Sequence, residues 1–461
     1  MRQRAFAAVL AAALTGIIVQ VHAGQLAPST APTFSKDVAP ILYKNCTTCH
    51  RPGELAPMSL LTYADARPWA RSINDHVTRG TMPPWHADKE YGRFANERRL
   101  TDAEKDTIAQ WVAAGAPQGD AKDLPAAPRY VDGWTIGQPD VILSMQEQYP
   151  IPAAGTVPYS YFEVPTNFTE DKWVQAFELR PGDRSVVHHV IVYTKSPEAA
   201  QAGRGQPSDG RLEGSREPPF KPGDGMDFPR DDAARRQALV AHRTPVLPND
   251  RPAPRGLNGS IGGYVPGTSS RVFTPGTAMR LVAGQTLVFQ MHYTTTGKAT
   301  GDRTRIGFVF AKEPPKTEIM LTALINANFQ IPAGAAEHRI DAEATITRNV
   351  TLWSMLPHTH VRGIRWRYEA TYPDGRIETI LSVPKYDFNW QTDYIFTEPL
   401  RLPKGTKIHA TAWYDNSRAN KSNPDPAADV WWGDQTWEEM MFTAFTFSVD
   451  GSAATASAGQ Q

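Results

Sequence analysis

The chain has 461 residues, which is too long for one ordinary core, so its length predicts two or more packed domains. Its 48 basic residues balance 48 acidic ones, and this balance argues against nucleic acid or an anionic membrane surface as a partner. A composition of 41% hydrophobic and 21% charged residues is typical of a globular protein and excludes a largely disordered chain.

The N-terminus has the pattern of a secretory signal peptide. Arg2 and Arg4 precede an apolar run, and Ala23 ends a cleavage motif of small residues. We therefore predict a signal peptide over 1–23 and a periplasmic or secreted mature protein without a membrane span. An uncleaved anchor is the alternative, although the apolar run is short for a spanning helix.

The next region has a helical pattern. Thr101 and Glu104 form a capping box ahead of apolar residues at helical spacing, which predicts a helix over about 102–114. Weaker helical patterns cover 35–45 and 64–79.

The segment Cys46-Thr47-Thr48-Cys49-His50 is the attachment pattern of c-type haem, and it contains the only two cysteines of the chain. Two thiols one turn apart can form thioethers to the porphyrin, and the adjacent histidine reaches the iron. A redox dithiol or half of a zinc site is the alternative, but the sequence has neither a βαβ context nor a second cysteine pair. The motif predicts one covalent haem c.

The sixth haem ligand should be a thioether or an imidazole from downstream. Met82 lies in a proline-rich loop, and here the chain resembles class I cytochromes c, whose distal methionine often stands beside proline. Met58 and His86 are the competing candidates. The alternative without a ligand role is that Met82 is an ordinary core methionine.

Beyond a Pro- and Ala-rich linker the pattern changes to short runs rich in β-branched and aromatic residues. The expected fold is a small all-α cytochrome c domain followed by two all-β sandwich domains of the jelly-roll kind. The predicted boundaries are 32–117 for the cytochrome c domain, 118–134 for the linker, 135–315 for the first sandwich with an insertion at about 196–266, 316–450 for the second sandwich, and 451–461 for a disordered tail.

Five histidines fall in three strand-like runs. Because residues i and i+2 of a strand share a face, His358 and His360 can converge on one metal ion, although two hydrogen-bonded histidines would give the same pattern. His188 and His189 are adjacent and would point to opposite faces unless the strand bulges there. His292 lies opposite the larger apolar face of its strand and is free to reach a ligand.

A thioether near the C-terminus would complete a mixed nitrogen and sulfur site suited to Cu(I). Met440 and Met441 are adjacent, and strand alternation does not choose between them. The alternative without a ligand role is that Met440 or Met441 is a core methionine.

In this order the motifs resemble the copper type II, ascorbate-dependent monooxygenases, the family of peptidylglycine α-hydroxylating and dopamine β-monooxygenases. The resemblance covers about 135–450 and is carried by His188-His189, Gln290-Met291-His292-Tyr293, His358-Thr359-His360 and Glu439-Met440, with Gly263-Tyr264-Val265-Pro266-Gly267 ahead of the second motif.

The resemblance implies two copper ions on either side of a solvent-filled cleft. His188, His189 and His292 would hold the electron-transfer copper. The oxygen-activating, catalytic copper would be held by a second set, His358, His360 and Met440. Substrate would bind near the second copper.

Two departures bear on the substrate. The peptide-amidating members have arginine and asparagine where this chain has Leu356 and Phe442, so a peptide carboxylate is a doubtful substrate and a less charged molecule is favoured. The disulfides of the animal members cannot form, since both cysteines belong to the haem motif.

The sequence therefore predicts an oxidoreductase: a copper monooxygenase that hydroxylates a C–H bond of a small organic substrate with O2. The fused haem would deliver electrons from a periplasmic donor. Two rival hypotheses are a haem and copper electron-transfer or copper-binding protein without oxygenase activity, and a haem module joined to a recognition sandwich that binds no metal.

Overall fold

A computed structural model describes residues 31–54, 56–130, 133–155, 157–195, 226–227, 257–265, 270–433 and 435–451. The predicted signal peptide, most of the predicted insertion and the predicted tail beyond residue 451 lie outside these residues. Within them the protein is mainly β, with several sheets and a helical N-terminal region. None of the described helices has the length and apolarity that a membrane crossing requires.

The N-terminal region begins with a π-helical turn, Phe34–Val38, and then forms short α-helices around one apolar core. The α-helices are α1 (Ala39–Asn45), α2 (Tyr63–Ala66), α3 (Ala70–Thr78) and α4 (Asp102–Ala113), with 3-10 turns at Arg67–Trp69 and Ala121–Asp123. All three sequence-based helix predictions are confirmed. The Thr101 side chain accepts from the Glu104 amide at the start of α4, and the Glu104 carboxylate accepts from the Thr101 amide, as the capping box requires.

The rest of the chain forms strands. They are β1 (Val141–Ser144), β2 (Tyr149–Ile151), β3 (Ser160–Pro165), β4 (Lys172–Arg180), β5 (Val187–Lys195), β6 (Met226–Asp227), β7 (Leu257–Tyr264), β8 (Ser270–Val272), β9 (Thr277–Leu281), β10 (Thr286–Tyr293), β11 (Thr300–Asp302), β12 (Arg305–Phe310), β13 (Thr317–Asn326), β14 (Gln330–Ile331), β15 (His338–Ile346), β16 (Val350–His358), β17 (Gly363–Thr371), β18 (Ile377–Val383), β19 (Tyr394–Leu402), β20 (Lys407–Tyr414), β21 (Val430–Trp431) and β22 (Met441–Val449).

Two sandwich-like units result, each with its own apolar core. In the first unit the sheet β3-β10-β5-β7 packs against β1, β12, β4 and β9. In the second unit the sheet β18-β17-β20-β15-β6 packs against β13, β22, β16 and β19. The alternating apolar residues of these strands supply both cores, as the period of two requires.

The two units share one continuous sheet. Strand β13 pairs with β9 in parallel through Thr317–Ile319 and then with β22 in antiparallel through Met320–Asn326. Because one strand belongs to both units, their relative position is fixed by backbone hydrogen bonds. This geometry holds the histidine runs of the two units close together.

Two strands correct the predicted insertion at about 196–266, and the first of them, β6, pairs with β15 of the second unit. Residues Leu257–Tyr264 form β7 and pair with β5, the strand that carries His188 and His189. Gly263 permits this pairing, since a Cβ there would lie 2.3 Å from the Val190 carbonyl oxygen. The many glycines of this segment indicated a loop, but Gly263 instead allows strands β5 and β7 to approach each other closely.

A segment of the N-terminal region packs into the second unit. Trp85, Ala87 and Phe94 belong to the core of that unit, and Phe94 forms a β-bridge with Phe396. The Asp88 amide donates to the Ser382 carbonyl at 2.8 Å. This packing was not predicted, because the segment lacks both helical and strand periodicity.

Candidate metal centres

The first set of histidines lies at a β-bulge. Along the β5–β10 pair, His189 faces His292 and Val187 faces Tyr293, so His188 is the extra residue that has no partner in the ladder. A bulge turns one side chain away from its regular direction. The sequence required such a bulge for both adjacent histidines to face one site, and the structure confirms it.

The Nδ1 atoms of the three rings converge. His189 Nδ1 lies 3.0 Å from His188 Nδ1 and 3.3 Å from His292 Nδ1. If one nitrogen is taken from each ring, the three atoms lie within 4.8 Å of one another. His292 is held from its other side, since its Nε2 lies 3.1 Å from Thr436 Oγ1. Three imidazoles arranged in this way fit a trigonal nitrogen site.

The buried polar atoms of this set favour a bound cation. The Nε2 atoms of His188 and His189 are buried and have no hydrogen-bond partner among the described residues. Three neutral Nδ1 atoms in mutual contact also cannot all be satisfied by hydrogen bonds to one another. Because buried polar groups are normally paired, a metal ion that accepts the three Nδ1 lone pairs is the economical explanation of their convergence, and each ring would then carry its proton on Nε2.

Electrostatics keep these rings neutral. Burial lowers the pKa of His188 to about 4, and burial together with the neighbouring imidazoles holds the pKa of His189 and of His292 well below the usual value. A neutral imidazole is the form that binds a metal, so the rings need not lose a proton at pH 7.

The second set begins where β16 ends. The His358 ring lies 5.3 Å from the His360 ring, centroid to centroid. His358 Nδ1 lies 2.8 Å from Gln391 Oε1, and His360 Nδ1 lies 3.1 Å from the Glu438 carbonyl oxygen. An imidazole that donates from Nδ1 presents Nε2 to a metal, which is the usual way in which ligand histidines are oriented.

Met440 is the methionine that accompanies this set. It lines a small pocket together with His358 and His189. Met441 instead is the first residue of β22, is 1% exposed and belongs to the core of the second unit. The alternation of side chains along a strand could not distinguish Met440 from Met441, because Met440 precedes strand β22.

Glu439 connects the members of the second set. Its buried carboxylate accepts from the His360 amide at 2.8 Å, the Met440 amide at 3.1 Å and the Arg362 amide at 2.7 Å. Burial raises the pKa of Glu439 to about 7, although these hydrogen bonds oppose the shift. The Glu439 carboxylate thus holds the backbone of two candidate ligands, His360 and Met440, in place.

Two aromatic residues lie between the sets, and sequence reasoning missed both. The Tyr159 ring is 4.6 Å from His292 and 6.3 Å from His360, and the Phe388 ring stacks on His188 at 4.9 Å and lies 6.0 Å from His360. The His189 and His358 rings are themselves 6.1 Å apart. The histidines therefore form one neighbourhood rather than two remote sites.

The large cavity of the structure lies beside the first set and not between the two sets, so a cleft that separates two copper sites stays a prediction. A cavity of about 800 Å³ is lined by His188 and His292 of the first unit and by Tyr386 and Phe388 of the second. His86, a rival candidate for the sixth haem ligand, also lines it. The N-terminal region thus closes one side of this cavity.

The haem-attachment motif follows α1 as a tight turn. The amides of Cys49 and His50 both donate to the Cys46 carbonyl, at 3.1 and 2.9 Å, which brings the two thiols to neighbouring positions. His50 Nδ1 lies 3.3 Å from the Met58 carbonyl oxygen, leaving Nε2 for an iron ion. These residues fit a covalent haem, and the Met58 backbone serves to orient the proximal histidine.

The environment of the thiols argues against a redox dithiol. Both cysteines are free, and burial raises the pKa of Cys46 to about 12 and raises that of Cys49 as well. Reactive dithiols need a lowered thiol pKa.

Met82 lies in the loop after α3, and its amide donates to the His76 carbonyl at 3.4 Å. The neighbouring residues Thr81 and His86 line the cavity of about 800 Å³. The role of Met82 as sixth ligand remains a prediction.

Comparisons with known proteins assign no family. No family model and no curated protein matches the chain. Among solved structures, a protein from Eubacterium rectale is 9% identical over 63% of this chain and 69% of that one, with a TM-score of 0.19. The infectious bursal disease virus Gx strain (10%, 68% of each chain, TM-score 0.18) and allantoicase (8%, 58% of this chain and 78% of that one, TM-score 0.15) are similarly distant, and likenesses this weak carry no functional argument.

Proposed function

We propose that the protein is a copper-dependent monooxygenase that hydroxylates a C–H bond of a small organic substrate and receives electrons through its own c-type haem. The proposal includes a cytochrome c fold for the N-terminal region, two jelly-roll-like sandwiches and export to the periplasm or beyond. One observation carries it: the rings of His188, His189 and His292 lie together beside those of His358 and His360 inside the protein, with His189 and His358 6.1 Å apart. Met440 lines a small pocket with His189 and His358 and would complete the second set.

The donor atoms of both sets suit copper, and the two sets differ in whether they include sulfur. The first set offers three nitrogens, and the second offers two nitrogens with the softer Met440 sulfur, which favours the reduced ion. Copper in these positions would supply one-electron chemistry and a place for oxygen to be activated. The chain itself would hold both ions and exclude bulk water, since His189, His292, His358 and His360 are all buried.

The proposed reaction balances with two electrons. The substrate C–H bond and the O–O bond break, one oxygen atom enters the product as a hydroxyl group, and the other leaves as water with two protons. Since a haem carries one electron at a time, an external reductant must reduce it twice per turnover.

Contacts of the haem motif support its role as the immediate donor. Arg184, which lies four residues before His188, forms an ion pair of 2.6 Å with Glu54, which lies four residues after His50. The Arg51 guanidinium also lies 4.0 Å from the centroid of the Tyr130 ring, which fastens the linker to this region. A docked carrier acts at a high effective concentration, so no diffusing donor is needed for the final transfer.

Met440 provides the decisive experiment. Copper and haem content, oxygen uptake and haem reoxidation are measured for the wild type, for Met440→Leu and for Met441→Leu as the matched control. We expect near-stoichiometric binding of two copper ions in the wild type, and loss of oxygen uptake only in Met440→Leu, with the first copper and the haem retained.

Other outcomes would contradict the proposal. If copper binds but no substrate or reductant produces oxygen uptake linked to haem reoxidation, an electron-transfer or copper-binding protein is the better description. If reconstituted protein binds no copper, the sandwiches serve another purpose.

A further inference from the structure

We propose that the substrate is a small, neutral, apolar molecule, and that it binds in a cavity of about 130 Å³ between the two units. This inference rests on the proposed function and adds the substrate class. The cavity, called the apolar cavity below, is lined by residues of both units, among them Phe273, Ile261, Leu356, Phe442 and Ala444.

The position of the apolar cavity connects it with the second ligand set. His358 and Phe442 line it, and both also line the small pocket that contains Met440. His189 is the one member of the first set that lines both spaces as well, so the cavity lies where the two sets meet. The larger cavity of about 800 Å³ is lined by His188 and His292, but the described residues around it include no member of the second set. A substrate in the apolar cavity would therefore lie beside the copper that is proposed to activate oxygen.

The walls select for an apolar ligand. Leu356 and Phe442 both line the cavity. Each is only half-buried by protein atoms, so an apolar ligand would cover surface that water otherwise contacts. Removing such surface from water stabilises the complex by about 25 cal/mol per Å².

The charges at the cavity exclude an ionised ligand. The charged residues among its described lining are Arg271 and Asp393, and these two form an ion pair with each other. Arg271 also donates from Nη2 to Ser354 Oγ at 3.0 Å. Because these two charges neutralise each other, the described lining offers no counter-ion to an ionised ligand, and burial of an unpaired charge is costly.

The volume sets the size of the ligand. An apolar protein cavity of about 150 Å³ binds one benzene molecule. The cavity of about 130 Å³ is therefore matched to a ligand with a single ring, or to an aliphatic molecule of similar size.

The test uses the mature, haem-containing chain without copper, with toluene as the probe and calorimetry and ligand-observed NMR as readouts. We expect saturable binding, with benzoate and anilinium at least a hundredfold weaker. Leu356→Trp and Ala444→Leu fill the cavity from different strands and should each weaken toluene binding at least tenfold. Ile377→Trp, on an exposed position of β18, is the control and should bind as the wild type does.

A second measurement locates the probe. When Cu(II) is added, the resonances of exchanging toluene should broaden in the wild type and not in a zinc-loaded sample. The inference is overturned if the wild type shows no saturable binding, if both cavity-filling variants bind normally, or if Cu(II) bound to the protein leaves the toluene resonances sharp. Toluene binding is first measured without copper, so this inference and the proposed function can fail separately. Protein that binds toluene but no copper would contradict the proposed function, whereas the apolar cavity would still be a ligand site.

Discussion

The carboxylate of Glu439 accepts hydrogen bonds from the backbone amides of both His360 and Met440, at 2.8 and 3.1 Å. These two residues lie 80 positions apart in the chain (440 − 360 = 80), yet one side chain sets the distance between them. The arrangement identifies Glu439 as a positioning residue for the second metal site.

Replacing Glu439 should therefore weaken copper binding there. Glu439→Gln keeps the size of the side chain but offers one acceptor oxygen in place of two, so we expect a loss of about 10- to 100-fold in copper affinity at the second site, the range typical of partners that orient ligands. Competition with a Cu(I) chelator measures this loss. Glu438→Gln is the control, since it keeps the backbone carbonyl through which Glu438 contacts His360 Nδ1. Equal losses in both variants would show that the Glu439 carboxylate has no special role.

The bulge at His188 makes a prediction about stoichiometry. His188→Ala removes one of three converging Nδ1 atoms, so the bound copper should fall from two ions to one, with the remaining ion in the second set. Metal analysis and electron paramagnetic resonance can follow this change. His86→Ala, which alters the same large cavity outside the triad, should retain two ions; retention of both ions by His188→Ala would contradict the first site.

The ion pair between Arg184 and Glu54 predicts an effect on electron delivery. Arg184→Glu places like charges at this contact and should slow haem reoxidation by oxygen and substrate about tenfold, equivalent to ~1.4 kcal/mol. The double variant that exchanges the two charges should restore part of the rate, since it recreates the ion pair but leaves Arg51 without its Glu54 partner. Stopped-flow absorbance measures the rate, and an unchanged rate in the single variant would argue against electron transfer across this contact.

The identity of the sixth haem ligand can be tested by spectroscopy. Met82→Leu should change the absorption spectrum of the oxidised haem and lower its reduction potential, because a thioether ligand raises that potential. Met58→Leu is the matched control, since Met58 contributes its backbone carbonyl to His50. If only Met58→Leu or a His86 variant altered the spectrum, the assignment would move to that residue.

Local patterns allowed much of the site to be predicted from the sequence. Strand β10 shows why: Leu287, Phe289 and Met291 enter the core of the first unit, and the intervening positions put His292 on the other face. The period of two determines such a division without any knowledge of the neighbours. The adjacent pair His188 and His189 does not fit that period. By itself the pair favoured one core and one exposed histidine, and the bulge was expected only from the family resemblance.

Tyr159, Phe388 and Gln391 could not be predicted in this way. Each reaches the histidines from a segment without periodicity, and its contacts depend on how distant parts of the chain pack. The insertion of Trp85 and Phe94 into the second unit has the same origin, since it depends on the aromatic residues Tyr394 and Phe396 some 300 positions later (394 − 85 = 309).

That insertion also determines how the haem region can move. Trp85 is 6% exposed and contacts Tyr394 at 5.2 Å, and the Asn96 side chain bonds to the backbone of Asp393 and Ile395. A module anchored in this way cannot swing between a reductase and the copper ions as a shuttle on a flexible tether does. If the proposed function holds, an outside reductase must come to a stationary haem, so the face on which it lands is already set in the folded chain.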